Sequence, residues 1–422
     1  MKRYFFILHS ILILCIAQPL SAEAQYTLKQ CREQALQNNR KLKEAQLDKE
    51  AAGEQRKEAF TNYFPQVSSM AGVFKANKDL VQLPGMSFID GGYVANITAT
   101  QPLFAGGQII NGYKMTKIGE EVKAIQLKQT EEEICITTEA YYYQLLALLE
   151  KRHTLEVVNT QLKQIYLDVS NSYQAGISKK NDVLNVQLKL NEVASNQLAV
   201  NNGIQLSKML LAQYIGLTTD SFQIDCNLLK ELSPAESYKV DHEAALTQTK
   251  EYQLLNKNIE ANHLEYKLKV GAQLPTVAVG AGYTLHNLMD EDQNFGMLFA
   301  TVKVPISQWW GGSHAIKRKK ISEQIAKLDK EDNAQLLLIR MQQTYDNLAQ
   351  AYQQVQLAES SKATATENLR LNQDYYHAGT VALSDLLDAQ TQQQQAFNQY
   401  TDAAVSYLNS RSAYLRATNQ MF

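Results

Sequence analysis

Paired acidic residues follow a glycine turn near the C-terminal end of the chain. Asp385 and Asp388 are three positions apart, so on a helix both carboxylates lie on one face. If copies of this face met around an axis, the crowded carboxylates would favour hydrated cations, oppose anions and raise each other's pKa values. Asp182 follows a matching turn earlier in the chain. The competing interpretation is helix capping, because acidic residues at a helix N-terminus accept backbone hydrogen bonds and complement the helix dipole.

The motifs of common enzymes are incomplete in this sequence. His242 and Glu243 begin a string like that of zinc proteases, but Leu246 stands where the second zinc-binding histidine is required. Gly280 and Gly282 lack the third glycine and the helix of a dinucleotide-binding fingerprint. We therefore predict that the protein is not an enzyme and binds no cofactor or metal.

The charge and the cysteine content exclude further classes of protein. The 422-residue chain has a formal net charge of -2, so no excess of positive charge would draw it to nucleic acid. The cysteines beyond position 24 are too scattered for a disulfide framework or a metal site, and we interpret them as small buried residues. They are Cys31, Cys135 and Cys226.

The N-terminus reads as a secretory signal. Lys2 and Arg3 precede the apolar run 4–16, and Ala22 and Ala24 have the spacing of a cleavage site, so residues 1–24 are predicted to be a signal peptide cleaved near Ala24. The mature chain would then leave the cytoplasm.

Two copies of one unit follow the signal. The sequence at 64–67 is similar to that at 274–277, 210 positions later, and 173–176 matches 376–379, 203 positions later. Similar landmarks in the same order indicate a tandem duplication of a unit of roughly 200 residues. We place the first repeat at 25–217, a connector at 218–240 and the second repeat at 241–422.

Each repeat contains two segments in which apolar and small or polar side chains alternate. They are predicted as strands at about 66–75 and 92–102 in the first repeat, and at about 275–286 and 296–305 in the second. Their lengths are close to the roughly 9 to 11 residues of a tilted transmembrane strand. A soluble sheet with one wet face is the alternative.

Long helices separate the strand pairs. Neither 120–175 nor 313–378 contains glycine or proline, and apolar residues there follow coiled-coil spacing. Each repeat therefore predicts a long antiparallel helical hairpin, with tips near 176–183 and 379–386. Four strands cannot close a transmembrane barrel, so other copies must complete it. Two copies would give eight strands and three would give twelve, and the sequence only weakly favours three.

The duplicated unit, the signal, the run 101–107 and the paired tip sequences together resemble the TolC family of outer-membrane factors. The resemblance implies a mixed, mainly α fold with a transmembrane β-barrel part. It further implies a homotrimer whose twelve-stranded barrel lies in the outer membrane and continues as an α-helical barrel through the periplasm. Such a protein is a passive exit duct, gated at its periplasmic tip, of a tripartite efflux pump or a type I secretion system. Its partners are outer-membrane lipid, a periplasmic adaptor and, through the adaptor, an inner-membrane pump.

The resemblance also assigns residues to the tips. The periplasmic gate would consist of Asp385, Asp388, Asp182 and Tyr376. The adaptor would contact the turns of the two hairpins, at Gly176, Ile177, Gly379, Thr380 and Val381. Val381 departs from the best-known members, which can carry an arginine there that helps to tie neighbouring hairpins in the closed state. Drug efflux, metal export and protein secretion remain open as the transport task.

Two further features concern the membrane. Trp309 and Trp310 fall where a strand would leave the membrane for the periplasm, and indoles favour that interface. Packing at the junction of barrel and helices is the equal alternative. The loop 76–91 is apolar for a surface loop and would pack over the outer mouth. A periplasmic coiled-coil scaffold or tethering protein without a pore is the alternative function, and its strands would form a soluble sheet.

Overall fold

A computed structural model describes residues 25–78, 81–83, 86–88, 91–218, 221–229, 232–287 and 292–421. The predicted signal peptide 1–24 and part of the loop 76–91 lie outside the described residues. Most of the described chain is helical and its strands are few. The predicted mainly helical class with a smaller strand part is confirmed.

The first unit has two short N-terminal elements, a helix, two long strands with a small hairpin between them, and a pair of long helices. In chain order these are β1 (Gln25–Tyr26), α1 (Leu28–Asn38), α2 (Arg40–Thr61), β2 (Gln66–Lys75), β3 (Val81–Leu83), β4 (Met86–Phe88), β5 (Gly91–Ala105), α3 (Gln108–Gln174) and α4 (Lys180–Ile215).

A connector that contains β6 (Gln223–Ile224) leads to the second unit, which repeats the order of helix, two long strands and two long helices. Its elements are α5 (His242–Leu246), α6 (Lys250–Gly271), β7 (Thr276–His286), β8 (Gln293–Lys303), α7 (Trp309–His377) and α8 (Leu383–Ala417). With 69 residues, α7 extends about 100 Å at the usual helical rise. Among the described helices, none has a stretch long and apolar enough to cross a membrane.

One antiparallel sheet joins the two units in the order β2-β5-β7-β8. Within the first unit Gln66 pairs with Thr100, and within the second Thr276 pairs with Lys303. These pairs are related by the same 210 and 203 positions that relate the two repeats in the sequence. The duplication therefore holds for the hydrogen-bond register of each strand pair, and not only for the order of elements.

The ends of two strands differ from the predicted positions. β5 continues to Ala105, past the predicted 102, because a bulge between Pro102 and Phe104 absorbs the proline. Proline has no backbone N–H to donate, so a bulge lets the ladder resume beyond it. β8 covers Gln293–Lys303, which shifts the predicted 296–305 by about one pleat toward the turn.

Two apolar cores hold the helices together. One core, here called the tip core, lies between the hairpins α3–α4 and α7–α8 near their tips. The α3 residues in it are spaced alternately three and four apart, as in a coiled coil. They are Leu155, Val158, Leu162, Ile165 and Val169, and they pack with Val186 and Val193 of α4 and with Leu386, Leu387 and Ala389 of α8.

The second core lies midway along the helices and surrounds buried tyrosines. Tyr142 and Tyr143 of α3 and Tyr407 of α8 are fully buried there, together with residues of α1 and the connector. Three tyrosines of α8 hold the connector in place. They are spaced seven residues apart, so their phenols lie on one helical face. Tyr400, Tyr407 and Tyr414 bond to the Leu229 carbonyl, the Ser233 carbonyl and the Val240 amide, respectively.

Candidate functional site

The two hairpin tips have the same turn. Gly176 and Gly379 end α3 and α7 with φ of 76° and 74°, a region that glycine enters without steric cost. The amide after each glycine, in Ile177 and Thr380, bonds at 2.9 Å to a carbonyl five residues earlier. A Cβ added to either glycine would meet nothing within 4 Å. Backbone conformation, and not crowding, is therefore what requires glycine at both tips.

The acidic residues at the tips cap the helices that follow. The Asp182 carboxylate accepts the Lys179 amide at 3.1 Å, and the Asp385 carboxylate accepts the Ala382 amide at 3.3 Å. Asp385 stays exposed in this arrangement, and so does Asp388 one turn farther along α8. Capping and a role in lining a passage are therefore compatible, because the Asp385 side chain accepts the cap hydrogen bond and still remains exposed.

The leucines at the start of α8 lie on the opposite face of the helix from the two aspartates. Leu383, Leu386 and Leu387 are buried and belong to the tip core. Asp385 and Asp388 therefore lie on the face that points away from the first hairpin of the same chain. The three-residue spacing predicted a shared helical face for the two carboxylates, and their role in a gate stays a prediction.

Tyr376 brings the two hairpins of one chain into electrostatic contact. It packs against the tip core, and burial raises the pKa of its phenol above the ordinary value. The negative charges of Asp182 and Asp168 on the first hairpin raise this pKa further. The carboxylate of Asp182, a residue assigned to the gate together with Tyr376, thus acts electrostatically on this phenol from the other hairpin. Val381 is half-buried and carries no charge into this contact.

Gln390 is a tip residue whose importance sequence reasoning missed. Its side chain is 2 % exposed, and neither its amide nitrogen nor its oxygen has a hydrogen-bond partner among the described residues. The matching residue of the first repeat, Gln187, is exposed and donates to Asn191. The recurrence of this glutamine in both repeats was visible, but its burial depends on the packing of α8 against α3.

The membrane-interface prediction concerns the junction of strands and helices. The Trp309 indole donates to the Gln273 carbonyl at 2.8 Å, while Trp310 is 82 % exposed. The first repeat has an aromatic cluster at the corresponding junction, which sequence reasoning missed although its close spacing was readable. It consists of Phe60, Tyr63, Phe64 and Tyr113.

No group of three or more metal-binding side chains occurs in the described part of the chain. Burial raises the pKa of the Cys31 thiol to about 12 and that of Cys135 to about 11, so both thiols stay protonated at neutral pH. His242 bonds to the Tyr414 phenol at 3.2 Å. This contact gives His242 a role in packing, and the zinc-protease motif that it begins is incomplete.

Comparison with known proteins agrees with this geometry. A family model described as outer membrane efflux protein matches residues 31–217 and 244–420, and no curated protein matches the chain. Among solved structures, CusC is 13 % identical with a TM-score of 0.80, covering 94 % of this chain and 92 % of its own. The CmeC outer membrane channel of Campylobacter jejuni is 16 % identical with a TM-score of 0.79, covering 94 % and 86 %. The outer membrane protein VceC of Vibrio cholerae is 13 % identical with a TM-score of 0.77, covering 93 % and 95 %.

The family model covers most of the chain in two blocks that correspond to the two repeats. The solved channels share the fold of helices continued by strands along almost the whole length. The resemblance found in the sequence is confirmed, and the alternative of a scaffold without a pore loses its support. The chain belongs to the outer membrane efflux protein family, whose members are passive exit ducts of tripartite efflux pumps and not enzymes.

Proposed function

We propose that three copies of this chain form the duct, and that the paired tips of each copy form its periplasmic gate. The observation that carries the proposal is the repeat symmetry of the sheet. In the part of the chain that the structure describes, this sheet has four strands, and β2 and β8 each pair along one edge only. An unpaired strand edge is too costly in lipid, so β8 of one copy must pair with β2 of the next.

Repeat symmetry supplies the register of this seam. Inside the chain, β5 pairs with β7 so that Ile97 lies opposite Tyr283. Replacing each strand by its repeat equivalent gives Ala300 of β8 opposite Val73 of β2 in the next copy. Val73 is 85 % exposed in one chain, which suits a residue that a neighbour covers.

The helices support the same closure. In the chain, α8 packs against α3, so by symmetry α4 packs against α7 of the next copy. Leu387 of α8 is buried at the first contact with 7 % exposure, whereas its equivalent on α4, Leu184, is 51 % exposed. Leu188 and Leu198 continue an exposed apolar stripe along α4. A second copy is the partner that this stripe requires.

The outer face of the sheet suits outer-membrane lipid. Tyr93 and Tyr283 lie toward its outer end, and Phe104 lies toward the helices. The twelve residues from Tyr93 to Phe104 span eleven residue steps, which correspond to about 28 Å along the membrane normal at the usual tilt. Aromatic belts at both limits of an apolar band about 25 Å tall are typical of outer-membrane barrels. Trp309 and Trp310 extend the inner belt.

The tips are the proposed gate and adaptor surface. Asp385 and Asp388 would line the constriction, while Tyr376 and Asp182 would tie the two hairpins of one chain together. Because Val381 contributes no charge, the tie depends on the phenol and the carboxylate alone. Ile177 is 82 % exposed and, with Gly176, Gly379 and Thr380, offers a turn surface to a periplasmic adaptor that binds the inner-membrane pump.

Cysteine cross-linking tests the seam. The variant with Val73→Cys and Ala300→Cys should form disulfide-linked trimers in outer membranes under mild oxidation. The control pairs Ala300→Cys with Ser69→Cys, four residues out of register, and should link far less. Equal linking in both variants, or a dimer as the largest product, would contradict the proposed closure.

Single-channel conductance in a planar bilayer tests the gate. Small cation-selective openings are expected from the wild-type protein, and the double variant Asp385→Asn, Asp388→Asn should lose that selectivity. Asp374→Asn is the control, since Asp374 is near the tip but pairs with Arg370 at 2.8 Å. Unchanged selectivity in the double variant would contradict the proposed gate role of both aspartates and leave Asp385 with its capping role.

A further inference from the structure

Three large apolar side chains of β8 form a ladder on one side of the sheet. The strand register places Phe295, Met297 and Phe299 opposite Thr284, Gly282 and Gly280 of β7. A Cβ added to Gly280 would lie 2.3 Å from Cζ of Phe299, so the phenyl ring lies directly over this glycine. Phe295 and Met297 remain 44 % and 48 % exposed.

The side of the sheet that carries the ladder faces the pore. The opposite side presents valine, leucine, isoleucine and tyrosine, such as Val277, Val279 and Leu298, which suit lipid. Apart from Met70, Phe74 and Val94, the ladder side is otherwise small or polar, as expected for a water-filled lumen. Its other members on β5 and β7 include Asn96, Thr98, Thr100, Thr276 and Thr284.

The ladder is not a requirement of the repeated strand pair. The first-repeat equivalents of Met297 and Phe299 are Val94 and Asn96, and Met70 takes the place of Gly280. The same hairpin thus folds in the same register without the ladder. Coverage of Gly280 explains the position of Phe299, but it does not explain two further large side chains that stay exposed to the lumen.

The proposed seam enlarges each ladder. By the repeat symmetry used above, Phe299 lies opposite Phe74 of the next copy, on the same side of the sheet. Three such apolar patches would therefore line the barrel. Among the described strand residues of this side, Lys303 is the one that carries a full charge at neutral pH, and no carboxylate is present.

We infer that these patches are contact sites for passing solutes that carry an aromatic ring and are uncharged or anionic. Exposed rings and a thioether offer stacking and apolar contact, and Lys303 attracts rather than repels an anionic group. Among the described strand residues on this side of the sheet, a hydrated metal cation would find no carboxylate ligand. The inference rests on the proposed function, because it requires the strands to enclose the duct.

Transient block of single-channel current by 1-anilinonaphthalene-8-sulfonate tests the inference, with sucrose as the ring-free solute. The double variant Phe295→Ser, Met297→Ser leaves Phe299 over Gly280 in place. It should shorten the dwell time of each block about tenfold. The control Val94→Ser changes the repeat equivalent of Met297 and should leave the dwell time unchanged. Sucrose should show no difference between the variants.

A gain of block provides the complementary test. The double variant Met70→Gly, Asn96→Phe copies the Gly280–Phe299 pair into the first repeat and should lengthen the dwell time. If the wild type conducts but neither double variant changes the block, the ladder has only a packing role. Poor bilayer insertion of the serine variant with unchanged block would place the ladder against lipid and would also overturn the inference. Absence of conductance in the wild type would contradict the proposed duct instead.

Discussion

At the scale of single residues, buried polar groups with and without partners have opposite consequences. The Tyr407 phenol is fully buried and donates to the Ser233 carbonyl in the connector. Gln390 is nearly as buried but has no partner among the described residues. Leaving a buried polar group unpaired costs about 1–3 kcal/mol, so one residue stabilises the fold while the other weakens it.

Tyr407→Phe should therefore lower the thermal unfolding midpoint. The change removes one hydroxyl and leaves the Ser233 carbonyl unpaired, which should cost about 1–2 kcal/mol. Thermal unfolding followed by circular dichroism measures this, with Tyr375→Phe as the control because the Tyr375 side chain is half exposed. Equal midpoints for both variants would show that water replaces the phenol without cost.

Gln390→Leu should raise the unfolding midpoint by a few degrees. Leucine keeps most of the volume and removes two polar atoms that the tip core does not satisfy. The control is Gln392→Leu, at an exposed position whose amide oxygen accepts from Asn368, and it should give no gain. A lower midpoint for Gln390→Leu would mean that the amide finds a partner in the assembled duct.

At the scale of elements, the strands meet the helices through a close approach of two glycines. Gly106 follows β5 and Gly271 ends α6, and a Cβ added to either would lie 2.2 Å from the carbonyl oxygen of the other. Gly106 also has a φ of 60°, where other residues are strained. This contact sets how the first repeat's strands and the second repeat's helix share one junction.

Gly106→Ala and Gly271→Ala should each disrupt this junction. Moving two backbones apart should cost on the order of 3 kcal/mol, and heat-resistant trimers in the outer membrane should largely disappear. Gly112→Ala is the matched control, since a Cβ there meets nothing within 4 Å and alanine favours a helix. Normal trimer yield from Gly271→Ala would show that the junction adapts without loss.

At the scale of the whole molecule, the proposed trimer would turn the two-fold repeat within a chain into a six-fold arrangement around the pore. The contacts between the two repeats of one chain would then be a template for the contacts between copies. Positions that are buried inside the chain but exposed in their equivalents identify the seam, as Leu387 and Leu184 do. We expect the contacts between copies to affect assembly and not the folding of one chain, because each hairpin has its own apolar contacts.

Leu184→Asp should therefore weaken the trimer without unfolding one chain. In the proposed trimer a charge on the α4 stripe would be buried against α7 of the next copy, and removing this charge from water is costly. Native electrophoresis should show loss of the trimer with an unchanged helical circular dichroism spectrum. The control is Leu167→Arg, since Leu167 is exposed and its repeat equivalent is the exposed Arg370. Equal loss in both variants would contradict the template.

The sequence by itself determined the local features of this protein. Hydrophobic spacing marked the coiled-coil helices, because a buried stripe must recur every three or four residues. Alternation marked the strands, and Gly176 and Gly379 marked the turns, since few residues other than glycine enter that backbone region easily. The repeat offsets marked the duplication, and the structure shows that the pairs Gln66–Thr100 and Thr276–Lys303 preserve both offsets.

Only the tertiary structure decided which matching positions are buried. Gln187 and Gln390 are the same residue type at the same place in their repeats, yet one is exposed and the other enclosed. The sequence also could not predict the close approach of Gly106 and Gly271 or the contacts of the α8 phenols with the connector. In each case the partners are more than a hundred positions apart in the chain, and periodicity reports only which face a residue occupies, not what that face meets.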